Sequence, residues 1–171
     1  MGYEKETKLL AGLCKQCGGR CCIEEDSISI SKIELKRLKQ KYKFKNGFII
    51  TPYGKINTIK FQENKPCPFL SKTKGKDVKT GCVLDVKTRP LSCRLYPLTF
   101  LFENGKTKFY LSLFCPHAKD ISKFNAWIRE SIKEAINDLN DWTEEEKLVR
   151  TYIHKKLHHN HKYIIEVKDE K

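Results

Sequence analysis

Four cysteines crowd into nine residues near the N-terminus, in a run that reads Cys-x2-Cys-x3-Cys-Cys from Cys14 to Cys22. Gly18 and Gly19 lie inside this run, where glycine lets the backbone turn tightly. Four more cysteines follow singly and far apart, at Cys67, Cys82, Cys93 and Cys115. The pattern predicts a fold in which the first cluster begins a metal site and the later cysteines complete it.

The composition is that of a globular protein. The chain has 171 residues, of which 39% are hydrophobic and 32% charged, enough for one ordinary domain with its own core. No apolar run reaches the roughly 18 residues of a membrane span, and the first residues carry both signs of charge, unlike a signal peptide. We therefore expect a cytoplasmic protein with no membrane partner.

In a reducing cytosol, cysteines act as metal ligands or catalytic thiols more often than as disulfides. The alternative is four disulfides in a secreted or hyperthermophile protein.

Positive charge is concentrated in the central segment. The net charge is +13, and between Lys32 and Lys87 there are 15 Lys/Arg against 4 Asp/Glu, which is +11 of the total. Such a basic field attracts nucleic acid, acidic protein segments or phosphorylated ligands. Few aromatic residues are interleaved with the lysines as stacking platforms, so a solvated lysine-rich surface is the favoured interpretation and a nucleic-acid partner through residues 32–87 the alternative.

The hydrophobic pattern predicts an α+β fold in a single compact domain spanning residues 1–171. The cysteine-bearing half, with a motif core over 14–97, is irregular and carries short β-hairpins, and C-terminal helices over about 120–160 cover it. The first predicted elements are a helix over 4–13, a strand over 27–30, a helix capped by Ser31 and Glu34, and a strand–turn–strand over 47–61. A proline-bracketed turn over 88–97 and a hairpin over 98–113, which turns at Asn104-Gly105, come next. Two antiparallel helices follow, and the second begins at Thr143.

Thiolate is a soft ligand that selects zinc, iron–sulfur clusters or copper(I). Cys14 and Cys17 have the spacing of a gripping pair, but a structural zinc site usually has two such pairs, and this chain has one. Adjacent side chains in an extended chain point to opposite sides, so Cys21 and Cys22 would not both bind one ion. Eight thiols divide arithmetically into two four-cysteine sites. The alternative for any single late cysteine is an inert buried thiol.

Cationic and imidazole side chains lie close to the cysteines in sequence. An anionic thiolate site needs nearby cations when it is partly buried, and Arg20, Arg89 and Arg94 each lie within a few residues of a cysteine. His117, two positions after Cys115, is a candidate mixed or neighbouring ligand. A weaker alternative is a histidine site on the last helix, where His154 and His158 are four residues apart, although such a helix end is more often solvated.

The order and spacing of these motifs resemble the YkgJ-type cysteine-cluster family, described as a zinc- or iron-chelating domain. The resemblance covers residues 14–97: the N-terminal run, then Cys67-Pro68-Phe69-Leu70, then Gly81-Cys82 through Arg89-Pro90-x2-Cys93-Arg94-x-Tyr96-Pro97. It implies metal binding, with an iron–sulfur cluster as the favoured species, and it adds Tyr96 to the arginines as a candidate for cofactor contact. A distant relation to bacterial flagellin lysine methylase implies, by analogy, an S-adenosylmethionine-dependent reaction.

Three hypotheses from different classes follow. The first is a protein that binds one or two iron–sulfur clusters, of the 4Fe–4S type, through the eight cysteines, with zinc as the alternative metal. The second is an S-adenosylmethionine-dependent methyltransferase acting on lysine. A radical S-adenosylmethionine enzyme is excluded because Cys-x3-Cys-x2-Cys is absent, and a Rossmann-type glycine loop and a P-loop are also absent. A zinc-stabilised module that binds RNA or an acidic protein through the basic segment is the third class.

Overall fold

The computed structural model describes residues 2–24, 27–60, 65–71, 81–84, 88–157 and 161–168. These residues form helices and strands in mixed order, which confirms the predicted α+β class. The elements are α1 (Tyr3–Gln16), α2 (Cys21–Glu24), β1 (Ser27–Ile30), α3 (Lys32–Lys41), β2 (Asn46–Thr51), β3 (Gly54–Lys60), β4 (Leu70–Ser71), β5 (Gly81–Cys82), α4 (Leu91–Leu95), β6 (Leu98–Glu103), β7 (Lys106–Ser112), α5 (Ala118–Ile121), α6 (Asn125–Leu139), α7 (Glu144–Leu157) and β8 (His161–Lys168).

The described residues form three small antiparallel sheets. The first has the order β1-β3-β2, the second pairs only β4 with β5, and the third has the order β6-β7-β8. Both predicted hairpins are present, as β2–β3 and β6–β7. Asn104 and Gly105 have φ of 54° and 70°, the positive values that the tight hairpin turn requires.

Helix α3 begins as its sequence predicts. The Ser31 hydroxyl accepts a hydrogen bond from the Glu34 backbone, and the Glu34 carboxylate accepts one from the backbone of Ser31. This capping box satisfies backbone N–H groups that a helix start would otherwise leave unpaired. Helix α7 begins in the same way, with Thr143 and Glu146 as the two partners.

Two hydrophobic clusters form the core. The larger one lies between the β6–β7 hairpin and the C-terminal helices, and its fully buried residues include Phe100, Phe109 and Val149. The smaller one is formed by Ile30, Leu38 and other residues from β1, α3 and β3. Helix α7 packs against both β3 and β6, and α4 packs against α6, β1 and β6. The two clusters are therefore tied together by α7 and α4.

The structure corrects two of the predicted elements and adds a strand after them. Helix α1 continues past residue 13 to Gln16 and so carries Cys14. The turn predicted over 88–97 contains the short helix α4, which starts directly after Pro90, a residue suited to helix starts. The chain after α7 forms strand β8 on the free edge of β7. The prediction ended with helix at about residue 160 and did not include this strand. A strand that gains its stability from pairing with a distant edge has a weak local signal.

In the part of the chain that the structure describes, no helix combines the length and the apolar character needed to cross a membrane.

Candidate metal centre

The N-terminal cysteine run folds as helix, glycine turn and helix. Cys14 lies in the last turn of α1, and Cys17 is its C-cap. Gly18 and Gly19 follow with φ of 67° and 73°, the left-handed conformation that glycine adopts at low cost after a helix. The chain reverses at this pair and enters α2 at Cys21. The two glycines therefore set the position of the first cysteine pair relative to the second.

Cys21 and Cys22 do not lie in an extended chain, as the sequence argument assumed. Both belong to the short helix α2, and the Cys21 thiol donates a hydrogen bond to the Cys22 sulfur. Successive helical side chains diverge by about 100°, which is less than the opposite orientation in a strand. The two thiols are therefore neighbours that present different faces to their surroundings.

The later cysteines return to this run from separate elements. The backbone N–H of Cys67 donates to the carbonyl of Cys22 at 2.7 Å. Cys82 lies in β5 and pairs with Leu70, three residues after Cys67. Cys93 lies within α4, and Cys115 follows the end of β7. Sequence positions that are far apart are thus brought to one region.

A cavity of about 300 Å³ lies against the N-terminal run. Four thiols line it, together with residues from α1, from the start of α5 and from the chain after α4. The four cysteines are Cys14, Cys17, Cys21 and Cys115. Since a water molecule in the liquid takes up about 30 Å³, this space is several times larger than a single ion needs.

Three of the other four cysteines have an apolar setting. Cys22, Cys67 and Cys82 pack with the smaller hydrophobic cluster, next to Phe69 and Leu84. Cys93 joins them: burial raises the pKa of its thiol, and the charges of Cys22, Cys67 and Cys82 raise it further. These four thiols form a second group, in which Cys67 is buried and the other three are half-buried.

Backbone N–H groups already point at two of the sulfurs. The Cys67 sulfur accepts hydrogen bonds from the backbones of Phe69 and Leu70, and the Cys115 sulfur accepts one from the backbone of His117. Hydrogen bonds of this kind favour the thiolate over the thiol. Burial acts in the opposite direction and raises the pKa of Cys67 to about 11 and that of Cys115 above its ordinary range.

The N-terminal thiols titrate unequally. Desolvation, followed by the charge of Cys17, raises the pKa of Cys14 to about 11. The hydrogen bond from Cys21 and, to a smaller extent, the Arg89 guanidinium lower the pKa of Cys22 to about 7, although desolvation acts in the opposite direction. Cys21, the donor of that bond, has its pKa raised. Most of these thiols are therefore protonated at neutral pH until a metal displaces the protons.

The three arginines chosen from the sequence have different positions. Arg89 acts electrostatically on both Cys14 and Cys22, and its side chain donates to the carbonyls of Leu84 and Cys82. Arg94 instead forms an ion pair with Asp138 on α6 and donates from Nε to the Arg89 carbonyl at 3.2 Å. Arg94 therefore braces the backbone that carries Arg89.

Arg20, Tyr96 and His117 all line the cavity beside the first four cysteines. Arg20 is exposed, whereas Tyr96 and His117 are half-buried. The three side chains give the cavity a polar part of its wall, next to Phe114 and Pro116. They are therefore positioned to contact a group held by the thiols.

The histidine pair on the last helix has no comparable setting. His154 is 2% exposed and hydrogen-bonded to the Thr99 hydroxyl. It belongs to the core between α7 and β6, and the expectation of a solvated helix end is wrong for this residue. His158 lies outside the described residues.

Glu34 is a neighbour of the centre that the sequence does not predict. Its carboxylate is 9% exposed and accepts hydrogen bonds from the backbones of Ser31 and Leu91, at 2.7 and 2.6 Å. Leu91 is two residues before Cys93. The capping-box motif signalled the first bond, but nothing local in the sequence signals the second.

All eight cysteines are free thiols, so the disulfide alternative is not realised. Among the described residues, no three Cys, His, Asp or Glu side chains are arranged so that they could hold one metal ion. The donor set is nevertheless that of a soft metal or an iron–sulfur cluster, and the cavity beside it has room for a group of several atoms. The residues therefore fit a thiolate-bound cofactor larger than one ion.

Comparison with protein families gives a match over residues 13–126 to CxxCxxCC, the "putative zinc- or iron-chelating domain". The chain belongs to this family. Metal binding by the cysteine cluster is accordingly its family property, and the matched region includes every cysteine of both groups. No curated protein and no solved structure matches the chain.

The basic segment is described only in part. Helix α3 exposes Lys32, Lys36 and Lys39 on one side. Residues 61–64, 72–80 and 85–87, which hold five of the 15 Lys/Arg and three of the 4 Asp/Glu of this segment, lie outside the described residues. A nucleic-acid partner for this segment stays a prediction.

Proposed function

We propose that this protein binds iron–sulfur clusters of the 4Fe–4S type, with the eight cysteines as its ligands. The observation that carries the proposal is the position of four free thiols, those of Cys14, Cys17, Cys21 and Cys115, in the wall of one cavity of about 300 Å³, which is more space than a single ion needs. A zinc ion needs its thiolate ligands about 2.3 Å from one common centre. A cluster spreads its cysteine ligands over several irons.

The surroundings of the thiols support the same proposal. Backbone N–H groups aimed at the sulfurs of Cys67 and Cys115 stabilise the negative charge that a cluster places on its ligands. Arg89 supplies a cation next to Cys14 and Cys22. When bound, a cluster would supply one-electron redox chemistry, and the residues of the chain would hold, shield and electrostatically balance it.

Anaerobic purification from iron-replete cells tests the proposal. We expect a brown protein with iron and acid-labile sulfide in equal amounts and a paramagnetic resonance signal after reduction. Protein purified in parallel and stripped with acid should lose the colour and regain it when ferrous iron and sulfide are supplied. A colourless protein with stoichiometric zinc, which also stays colourless after reconstitution, would contradict the proposal.

A further inference from the structure

The eight thiols fall into two groups with different surroundings. Cys14, Cys17, Cys21 and Cys115 line the cavity of about 300 Å³. Cys22, Cys67 and Cys82 pack instead in the smaller hydrophobic cluster, and Cys93 is their neighbour. Each group therefore contains four sulfurs, the number of ligands that one cluster or one structural metal ion takes.

Interactions within each group are accompanied by others across the division, among them that of Cys14 with Cys22 and that of Cys21 with Cys93. In the cavity group, Cys14 interacts electrostatically with Cys17 and Cys115, and Cys115 interacts with Cys17. In the second group, the Cys67 N–H donates to the Cys22 carbonyl, and Cys67 interacts with Cys82.

The two groups meet at α2. The Cys21 thiol donates to the Cys22 sulfur, Cys14 lies near enough to Cys22 to raise its own pKa, and Arg89 acts on a member of each group. The groups are therefore adjacent, and the consecutive residues Cys21 and Cys22 contribute one thiol to each group.

We propose that the protein has two neighbouring four-thiolate metal sites, an open one formed by Cys14, Cys17, Cys21 and Cys115 and a shielded one formed by Cys22, Cys67, Cys82 and Cys93. The open site faces the cavity beside Arg20, Tyr96 and His117, where a small molecule can reach it. At the shielded site, Cys22, Cys67 and Cys82 pack against the apolar side chains of the smaller hydrophobic cluster, and Cys67 is buried. The choice of 4Fe–4S clusters for both sites rests on the proposed function, whereas the division of the thiols does not.

Paired serine variants test the division. Cys17→Ser and Cys115→Ser alter the open site, and Cys82→Ser and Cys93→Ser alter the shielded one. Each single variant should keep about half of the iron and sulfide of the wild type, near four irons in place of eight. The double variant Cys17→Ser/Cys115→Ser should also keep half, because both changes fall in one site. The double variant Cys17→Ser/Cys82→Ser should keep almost none.

The pattern of the doubles decides the outcome. If one site uses all eight thiols, same-group and cross-group doubles lose equal amounts of metal, and the division is wrong. If only one group binds metal, variants of the other group keep the full content, which also overturns it. Circular dichroism on every variant separates loss of a site from loss of the fold.

Chelation of the wild-type protein provides a second readout that needs no substitution. Anaerobic treatment with a bulky chelator should remove metal in two phases of similar amplitude, the faster from the open site. Cys17→Ser should show only the slow phase, and Cys82→Ser only the fast one. A single phase shared by all three proteins would contradict the difference in exposure.

The same variants keep the division separate from the identity of the metal. A wild-type protein that contains zinc but neither iron nor sulfide rejects the proposed function. Metal release in two phases, with one phase lost in each single variant, would still support the two sites whichever thiophilic metal the protein holds.

Discussion

The Glu34 carboxylate on α3 accepts a hydrogen bond from the backbone N–H of Leu91 at 2.6 Å, across 57 positions of sequence. Leu91 is the first residue of α4, and Cys93 follows two positions later in the same helix. The same carboxylate accepts from the backbone of Ser31 at 2.7 Å. One buried side chain therefore caps two helices and fixes the element that carries a proposed ligand.

Two other buried glutamates connect elements in the same way. Glu6 on α1 accepts from the backbone N–H of Trp127 in the first turn of α6, and Glu146 on α7 accepts from that of Lys32 at the start of α3. Glu6 and Glu146 are 2% and 1% exposed. Buried carboxylates that cap distant helix starts thus link α7 to α3, α3 to α4, and α1 to α6.

We predict that Glu34→Ala weakens both the fold and metal retention. The change leaves two buried N–H groups without this acceptor, each worth about 1–3 kcal/mol. The midpoint of thermal unfolding of the metal-loaded protein should fall by roughly 2–4 °C for each kcal/mol lost. Metal release to a chelator should also become faster. Glu4→Ala, in the exposed first turn of α1, is the matched control and should change neither value. Equal behaviour of the two variants would show that the Leu91 contact has no such role.

This contact also marks how far the sequence could predict the structure. Ser31 and Glu34 predict the start of α3 because the capping box is a local motif. Asn104-Gly105 predicts the β6–β7 hairpin for the same reason. The acceptor role of Glu34 toward Leu91 depends on tertiary packing, which no local pattern encodes. The cysteine spacing predicted a long-range site, but not which four thiols would line the cavity.

Arg89 and Arg94 should differ in their effect on the thiols. The Arg89 guanidinium lowers the pKa of both Cys14 and Cys22, whereas Arg94 is paired with Asp138. Arg89→Gln should therefore raise the pKa of Cys22 above about 7, as followed by thiolate ultraviolet absorbance, and reduce metal affinity about tenfold, a difference of about 1.4 kcal/mol. Arg94→Gln should reduce thermal stability and leave the Cys22 titration almost unchanged. A larger shift of the Cys22 titration in Arg94→Gln would contradict this assignment.

His154 should prove to be a core residue and not a metal ligand. His154→Ala removes a buried side chain and its hydrogen bond to Thr99, and we expect a loss of about 1–3 kcal/mol in the free energy of unfolding. The metal content per chain, measured on the folded fraction, should equal that of the wild type. A loss of metal without a loss of stability would instead revive the histidine site.

Glu103 gives the stability a dependence on pH. Hydrogen bonds and ion pairs with Lys155 and Lys108 lower the pKa of its carboxyl below the ordinary value of 4.5. A carboxyl with a lowered folded-state pKa stabilises the fold above its unfolded pKa, and this contribution disappears as the pH falls through the folded pKa. Glu103→Gln should therefore cost up to about 1 kcal/mol at pH 7 and nothing at the acidic end of the titration. Urea unfolding at several pH values measures the difference, and a cost that stays constant with pH would contradict it.

Replacing Gly18 or Gly12 with alanine should change the thermal stability in opposite directions. Gly18 has φ of +67°, a conformation that costs other residues about 1–2 kcal/mol, although an added Cβ would meet no atom within 4 Å. Gly12 lies inside α1, where an added Cβ also meets nothing within 4 Å, and alanine is favoured over glycine in a helix by about 0.5–1 kcal/mol. Gly18→Ala should therefore lower the thermal midpoint and Gly12→Ala should raise it. Because Gly18 sets the position of Cys17 relative to Cys21, Gly18→Ala should also speed metal release to a chelator, whereas Gly12→Ala should not. Shifts of the same sign in both variants would mean that the left-handed turn does not control this part of the centre.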